Sequence, residues 1–240
     1  MARRVVDRAP WRPALQLIFV HIPKTGGSAL REALFRARPW AANLGDYGPA
    51  HPATSLLVNE LRYGPGGSLA RLGAALESVP AFSLCGHIKA KPYIGVFGAS
   101  RLITILRDPV ERVISNYRHM LRRRQFVGSL VEFARLPQER NVQARCVGVV
   151  PLKRWLFVAR QERLAADVRD LSRLVDAEIR LERVNQAPCG PEPEIDSHQR
   201  RIILGLNELD AELYETVRRP DPRIAHPPSD GRHESDMQSV

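Results

Sequence analysis

Residues 19–31 read FVHIPKTGGSALR, and the order of those residues dictates a local structure. The mostly apolar run from Leu15 to Ile22 spells a buried strand. Pro23 ends it, Lys24 and Thr25 follow, Gly26 and Gly27 free the backbone, and Ser28 stands where a cap would open a helix over 28–38. A strand, a glycine loop and a helix N-terminus in that order aim main-chain N–H groups and the positive end of a helix dipole at one point, which suits a phosphate. Lys24 adds a full positive charge there. Lysine is scarce elsewhere in the chain, found only at Lys89, Lys91 and Lys153.

The same logic recurs near the middle of the chain. Arg101 to Leu106 reads RLITIL, apolar and β-branched as a strand buried on both faces should be. Asp108-Pro109-Val110-Glu111 then opens a helix, with Asp108 as the cap, Pro109 at the first helical position and Glu111 closing a capping box. Val110, Val113, Ile114, Tyr117 and Leu121 follow at helical spacing and predict the buried face. Arg107 sits at the strand-to-helix turn. Ser115, seven residues past the cap, returns to the side of Asp108 after nearly two turns. A guanidinium and a hydroxyl converging on one edge can hold a second phosphate.

Around these two units the pattern alternates. Residues 1–13 read as a loose lead-in and 39–54 as loop. Short helices are expected over 55–62 and 68–78, on either side of the turn at Gly64 to Gly67. A short strand runs from Phe82 to Cys85 and ends at Gly86-His87. Residues 88–100, with Pro92, Gly95 and Gly98, read as loop. A helix near 139–147, a strand from Trp155 to Ala159, a helix over 162–175 and a helical region over 197–218 complete the series. Strands alternating with helices predict an α/β domain with a mainly parallel sheet. In such sheets ligands gather at the carboxyl ends of the strands, where both turns fall. One domain is expected over 1–218, and the polar stretch 219–240 is expected to be a disordered C-terminal tail.

Bulk properties narrow the partners. Among 240 residues the net charge is +10 and 44% are hydrophobic, which is enough for a real core and favours anionic partners. Aromatics are only 6% and are not interleaved with the basic residues, so no nucleic-acid stacking surface is expected. Cys85, Cys146 and Cys189 are distant and odd in number, against a disulfide framework or a structural zinc site. No apolar stretch approaches the ~20 residues that span a bilayer, and the short apolar run after the basic start lacks a cleavage site. A soluble, cytoplasmic protein without stable membrane insertion is expected.

The loop is not a Walker A loop, because its lysine precedes the glycines, and G-x-G-x-x-G is absent. No strand ends in an acid free to hold Mg²⁺. The expected ligand carries two separated phosphate groups and needs no metal.

At this point the residues resemble a known family. HIPKTGGS (21–28) resembles the 5′-phosphosulfate loop of sulfotransferases that use 3′-phosphoadenosine 5′-phosphosulfate (PAPS). RDPVERVISNY (107–117) resembles their 3′-phosphate motif. CGHI (85–88) resembles the G-H segment of the heparan-sulfate 2-O-sulfotransferase-like group and its bacterial relatives, and NVQAR (141–145) and LDAELYE (209–215) resemble later segments. The resemblance spans about residues 16–218. It implies a P-loop-like three-layer sandwich, a mainly parallel central sheet flanked by helices. It also implies transfer of a sulfuryl group from PAPS to an acceptor hydroxyl, with a carbohydrate as the expected acceptor. Lys24, Thr25, Gly26, Gly27 and Ser28 would bind the 5′-phosphosulfate, and Arg107 and Ser115 the 3′-phosphate.

Lys24 would also act catalytically, stabilising charge on the leaving phosphate oxygen. His87 is the candidate base, since it follows a glycine at a strand end and imidazole has a suitable pKa. His21 is the alternative, although its place before Pro23 suits packing or positioning. Lys89, Lys91, Arg118 and Arg122 to Arg124 could meet an acidic glycan; the arginine run also suits a solvated helix end. The loop is more glycine-rich than in the animal 2-O-enzymes, so their acceptor does not carry over. Two other readings stay open: a P-loop-like kinase using ATP and Mg²⁺, and a nucleotide- or anion-binding protein without chemistry.

Overall fold

The computed structural model describes residues 15–148, 150–182 and 195–218. The lead-in, the tail from Arg219 and Cys189 lie outside the described residues. Five strands form one sheet: β1 (Gln16–Val20), β2 (Ala42–Gly45), β3 (Phe82–Gly86), β4 (Leu102–Leu106) and β5 (Phe157–Arg160). Their order is β2-β3-β1-β4-β5, and every pair is parallel.

Both faces of the sheet are covered, and the alternation along each strand shows how. Leu17 and Phe19 of β1 and Ile103 and Ile105 of β4 share one core with α1 (Gly27–Ala37) and α8 (Leu164–Leu174). Ile18 and Val20, with Leu102 and Leu106, point the other way. They pack against α3 (Leu69–Glu77), α4 (Ala90–Phe97), α7 (Val142–Val147) and α10 (Glu208–Arg218). Neighbouring residues on opposite sheet faces are what a period of two requires. A third cluster lies off the sheet. There α5 (Pro109–Arg122) buries Val113, Ile114 and Tyr117 against α6 (Leu130–Arg135) and α9 (Ser197–Leu206).

The strand order positions the site. β1 lies at the centre, flanked by β3 and β4, so the turns that leave these three strands emerge side by side. They carry Lys24, His87 and Arg107. This is the reversal point of the strand order, where open parallel sheets leave a crevice.

Four local expectations are corrected. The segment 39–54, read as loop, contains β2, a four-residue edge strand held by its pairing with β3. The segment 88–100, also read as loop, contains α4. Pro92 falls at its third residue, within the first turn, whose N–H groups lack intrahelical partners, so the proline removes nothing. Ser28 does not cap α1; the cap position belongs to Gly26, with φ 91°, and no side chain caps the helix. Glu111 does not complete a capping box. Asp108 accepts from the N–H groups of Val110 and Glu111, but Glu111 pairs with Arg200 at 2.9 Å, and Asp108 N–H donates instead to Glu162.

The helices expected over 55–62 and 197–218 are each interrupted. The first is α2 (Leu56–Val58) running into a π-helical turn, Asn59–Tyr63. The second splits into α9 and α10 at Asn207, whose side chain donates to the carbonyl of Ile203 and accepts from the N–H of Asn141. No helix among the described residues is long and apolar enough to cross a membrane.

Candidate functional site

A cleft of about 730 Å³ opens at the carboxyl ends of the central strands. Lys24, Gly26, Gly27 and Ser28 line it from the first turn, Arg107 and Ser115 from the second, and His87 from the end of β3. Two stretches 83 residues apart are tied directly: Arg107 Nη1 donates to the carbonyl of Lys24 at 3.1 Å. Thr25 is the exception among the expected binding residues. It is fully buried, does not line the cleft, and its hydroxyl donates to the carbonyl of Ile22 at 2.9 Å. Its side chain braces the turn.

The first turn is shaped for close approach of a ligand to backbone. Lys24 (φ 70°) and Gly26 (φ 91°) both adopt the left-handed region. That conformation costs a non-glycine residue about 1 kcal/mol or more, and it persists where the surroundings over-determine it. A side chain at Gly27 would place its Cβ 2.1 Å from the His21 ring, so only glycine fits beneath that histidine. The first turn of α1 carries no side-chain cap and no acid, leaving its N–H groups and dipole for an anion.

The second turn is braced from behind. Gln143 is fully buried and grips Arg107 at both main-chain groups, accepting from its N–H at 2.9 Å and donating to its carbonyl at 2.8 Å. Asp210 in turn accepts from the N–H groups of Gln143 and Ala144. The segments 141–145 and 209–215 are thus in contact, and together they support the Arg107 turn. Arg107 Nε is buried with no hydrogen-bond partner among the described residues, while the residue itself lines the cleft.

The charged residues that line the cleft are basic. Arg122, Arg123 and His119 line the same cleft as Lys24 and Arg107, and no carboxylate among the described residues does, although Glu111, Glu162 and Asp108 lie close enough to act on Arg107. Burial lowers the Lys24 ammonium below its ordinary pKa, and the positive charges of Arg122 and Arg107 lower it further. Burial also lowers His119, with Lys24, Arg123 and Arg122 adding to it. Crowded cations with lowered pKa values are repaired by a bound anion. No group of three or more His, Cys, Asp or Glu residues among those described could hold a metal ion.

The chain resembles two solved sulfotransferases. One is a sulfotransferase from Alicyclobacillus acidocaldarius, at 18% identity, covering 90% of this chain and 100% of that one, with a TM-score of 0.47. The other is mouse sulfotransferase SULT7A1 complexed with PAP, at 15% identity, covering 83% of this chain and 67% of that one, with a TM-score of 0.42. No family model matches the chain, and no curated protein does. The functional reading therefore rests on the cleft itself.

Histidines gather on its rim. His87 is exposed, its ring 4.8 Å from that of His21 and 4.9 Å from that of Tyr47. The residue is exposed overall, but its ring packs between His21 and Tyr47, and the resulting loss of solvation, aided by His51 and Arg31, lowers its pKa, which favours the neutral form with a lone pair to accept a proton. His21 is different. It is 5% exposed, its Nδ1 faces the Tyr47 hydroxyl at 3.1 Å, and burial with His87 and Arg31 nearby lowers its pKa to about 3. Such a group does not take a proton near pH 7. The sequence marked Gln143 only as part of NVQAR (141–145), with no role of its own, and did not mark Tyr47. Tyr47 lay in a segment read as loop, and a buried glutamine in a helix has no local signature.

Proposed function

We propose that the protein transfers a sulfuryl group from PAPS to an acceptor hydroxyl, with carbohydrate as the acceptor class. The observation that carries this reading is the cleft with Lys24, Arg107, Arg122 and Arg123 on its walls and no carboxylate among the described residues that line it. Its two basic turns are joined by the bond from Arg107 to Lys24. A bisphosphorylated nucleotide matches two cationic corners. A nucleotide bound through Mg²⁺ would want an acid there to hold the metal.

In this reading Lys24 and the N–H groups over Gly26 to Ser28 hold the 5′-phosphosulfate, with Thr25 contributing through its main chain. Arg107 and Ser115, which both line the cleft, hold the 3′-phosphate, and the uncapped α1 terminus suits the 5′ group. PAPS, when bound, supplies an activated sulfuryl group. The acceptor oxygen bonds to sulfur while the bond from sulfur to the phosphate oxygen breaks, and the electron pair stays on that oxygen. Lys24 stabilises the charge gathering there. His87 takes the acceptor proton; it is exposed on the rim, where an acceptor can approach. The carbohydrate assignment is supported by the basic rim at Arg122 and Arg123, which suits an acidic glycan.

The test is ligand-dependent thermal stability. The product 3′-phosphoadenosine 5′-phosphate (PAP), at about 100 times its Kd and without metal, should add about 2.7 kcal/mol. That corresponds to roughly 5–10 °C in Tm for a chain of this size. ATP with Mg²⁺ should give far less; equal shifts with both would favour the kinase reading.

A further inference from the structure

The Tyr47 hydroxyl has three polar neighbours. Arg31 Nη1 lies at 3.3 Å, His21 Nδ1 at 3.1 Å and Cys85 Sγ at 3.5 Å. A guanidinium has no acceptor, so Arg31 donates to the phenol oxygen. The phenol has one proton of its own to give. A thiol sulfur is a weak acceptor and an imidazole nitrogen a good one, so the O–H goes to His21 Nδ1. Burial pushes the Cys85 thiol up to about 12, so that neighbour stays an uncharged S–H. The ring of His21, buried beside Phe19 at 5.6 Å, is neutral at pH 7. With Nδ1 accepting, its single proton must sit on Nε2.

The position of Nε2 gives that proton a use. A Cβ built on Gly27 would lie 2.5 Å from it, so the ring edge lies against the first residue of α1. His21 lines the cleft, and its Nε2 has no hydrogen-bond partner among the described residues. We propose that His21 is a further ligand of the anion held in the glycine loop, donating from Nε2–H to a phosphate-type oxygen. Tyr47 is then the positioning residue that fixes the tautomer. This rests on the reading that places the 5′-phosphosulfate in that loop. It gives the two histidines different tasks: the lone pair of His21 is engaged by Tyr47, and that of His87 is free for the acceptor proton. A neutral donor adds a hydrogen bond among crowded cations without adding charge.

The experiment is long-range ¹H–¹⁵N NMR of the imidazoles in the full-length ¹⁵N-labelled protein near pH 7, free and with PAP or inorganic pyrophosphate. His21 should show the Nε2–H tautomer, and its Nε2 resonance should move as either anion is added. Tyr47→Phe should blur the tautomer while the protein stays folded. By calorimetry, His21→Phe should weaken PAP about tenfold, the scale of one hydrogen bond to a charged group, and His21→Gln should recover most of that loss. His21 carrying its proton on Nδ1, an Nε2 resonance indifferent to both anions, or His21→Phe binding PAP like the wild type would each overturn the proposal and leave the nucleotide reading standing. A response to pyrophosphate with none to PAP would support the donor and sink the nucleotide reading.

Discussion

The guanidinium of Arg107 reaches across 83 residues to the main-chain carbonyl of Lys24, 3.1 Å away. The contact uses only Nη1, and Nε is left buried without a partner. One side chain therefore joins the two turns. Arg107→Ala should weaken PAP by tenfold or more, about 1.4 kcal/mol upward. Adenosine 5′-monophosphate, which lacks the 3′-phosphate, should lose much less, as calorimetry with the two nucleotides would show. An equal loss for both would remove Arg107 from the 3′-phosphate corner.

His87 and Lys24 separate binding from chemistry. His87→Ala should keep PAP affinity within about threefold, under the ~1.4 kcal/mol that a tenfold change requires. Turnover should fall by about 10²-fold or more, the contribution of a positioned base. Lys24→Ala should lower both. Labelled PAPS with a panel of carbohydrate acceptors provides the measurement, and near-normal turnover in His87→Ala would mean that another group takes the proton.

Gln143 never reaches the ligand in this account, yet it holds both main-chain groups of Arg107. Gln143→Ala leaves the N–H and C=O of half-buried Arg107 without their protein partners, a cost of about 1 kcal/mol. Each kcal/mol is worth roughly 2–4 °C in Tm at this chain length. PAP affinity should fall alongside stability, and Gln143→Glu, which keeps the acceptor and loses the donor, should fall between. Unchanged melting in Gln143→Ala would show that the turn holds without this brace.

Stability should depend on His21 as pH falls. Its pKa is about 3 in the folded chain against the ordinary 6.5, so the unfolded state binds a proton that the folded state refuses. The stabilisation is complete above pH 6.5 and is lost progressively below it, by up to about 1.4 kcal/mol per pH unit until the folded pKa is passed. Urea unfolding at pH 7 and pH 5 should show a drop in the wild type that His21→Phe reduces. Equal drops in both proteins would mean that His21 is not the group responsible.

The two turns were legible in the sequence because each is local chemistry. A proline, two glycines and a lysine after an apolar run, or an arginine before Asp-Pro, announce a strand-to-helix turn within a few residues. β2 and α4 were not legible. The first is four residues long and owes its existence to pairing with β3, and the second carries Pro92 and Gly95, residues that read as breakers when the helix start is unknown. Glu111 had the right spacing for a capping box, but Arg200, 89 residues away, takes its carboxylate. Tyr47 and Gln143 act only through neighbours that tertiary packing delivers. No spacing rule brings Tyr47 to His21 or Gln143 to Arg107.

The claim on which the rest depends is that both turns grip one nucleotide. A crystal structure with PAP measures it directly. The account predicts the 5′-phosphate against Lys24 and the N–H groups of Gly26 to Ser28, and the 3′-phosphate against Arg107 and Ser115. PAP lying outside the cleft, or meeting only one of the two turns, would contradict it.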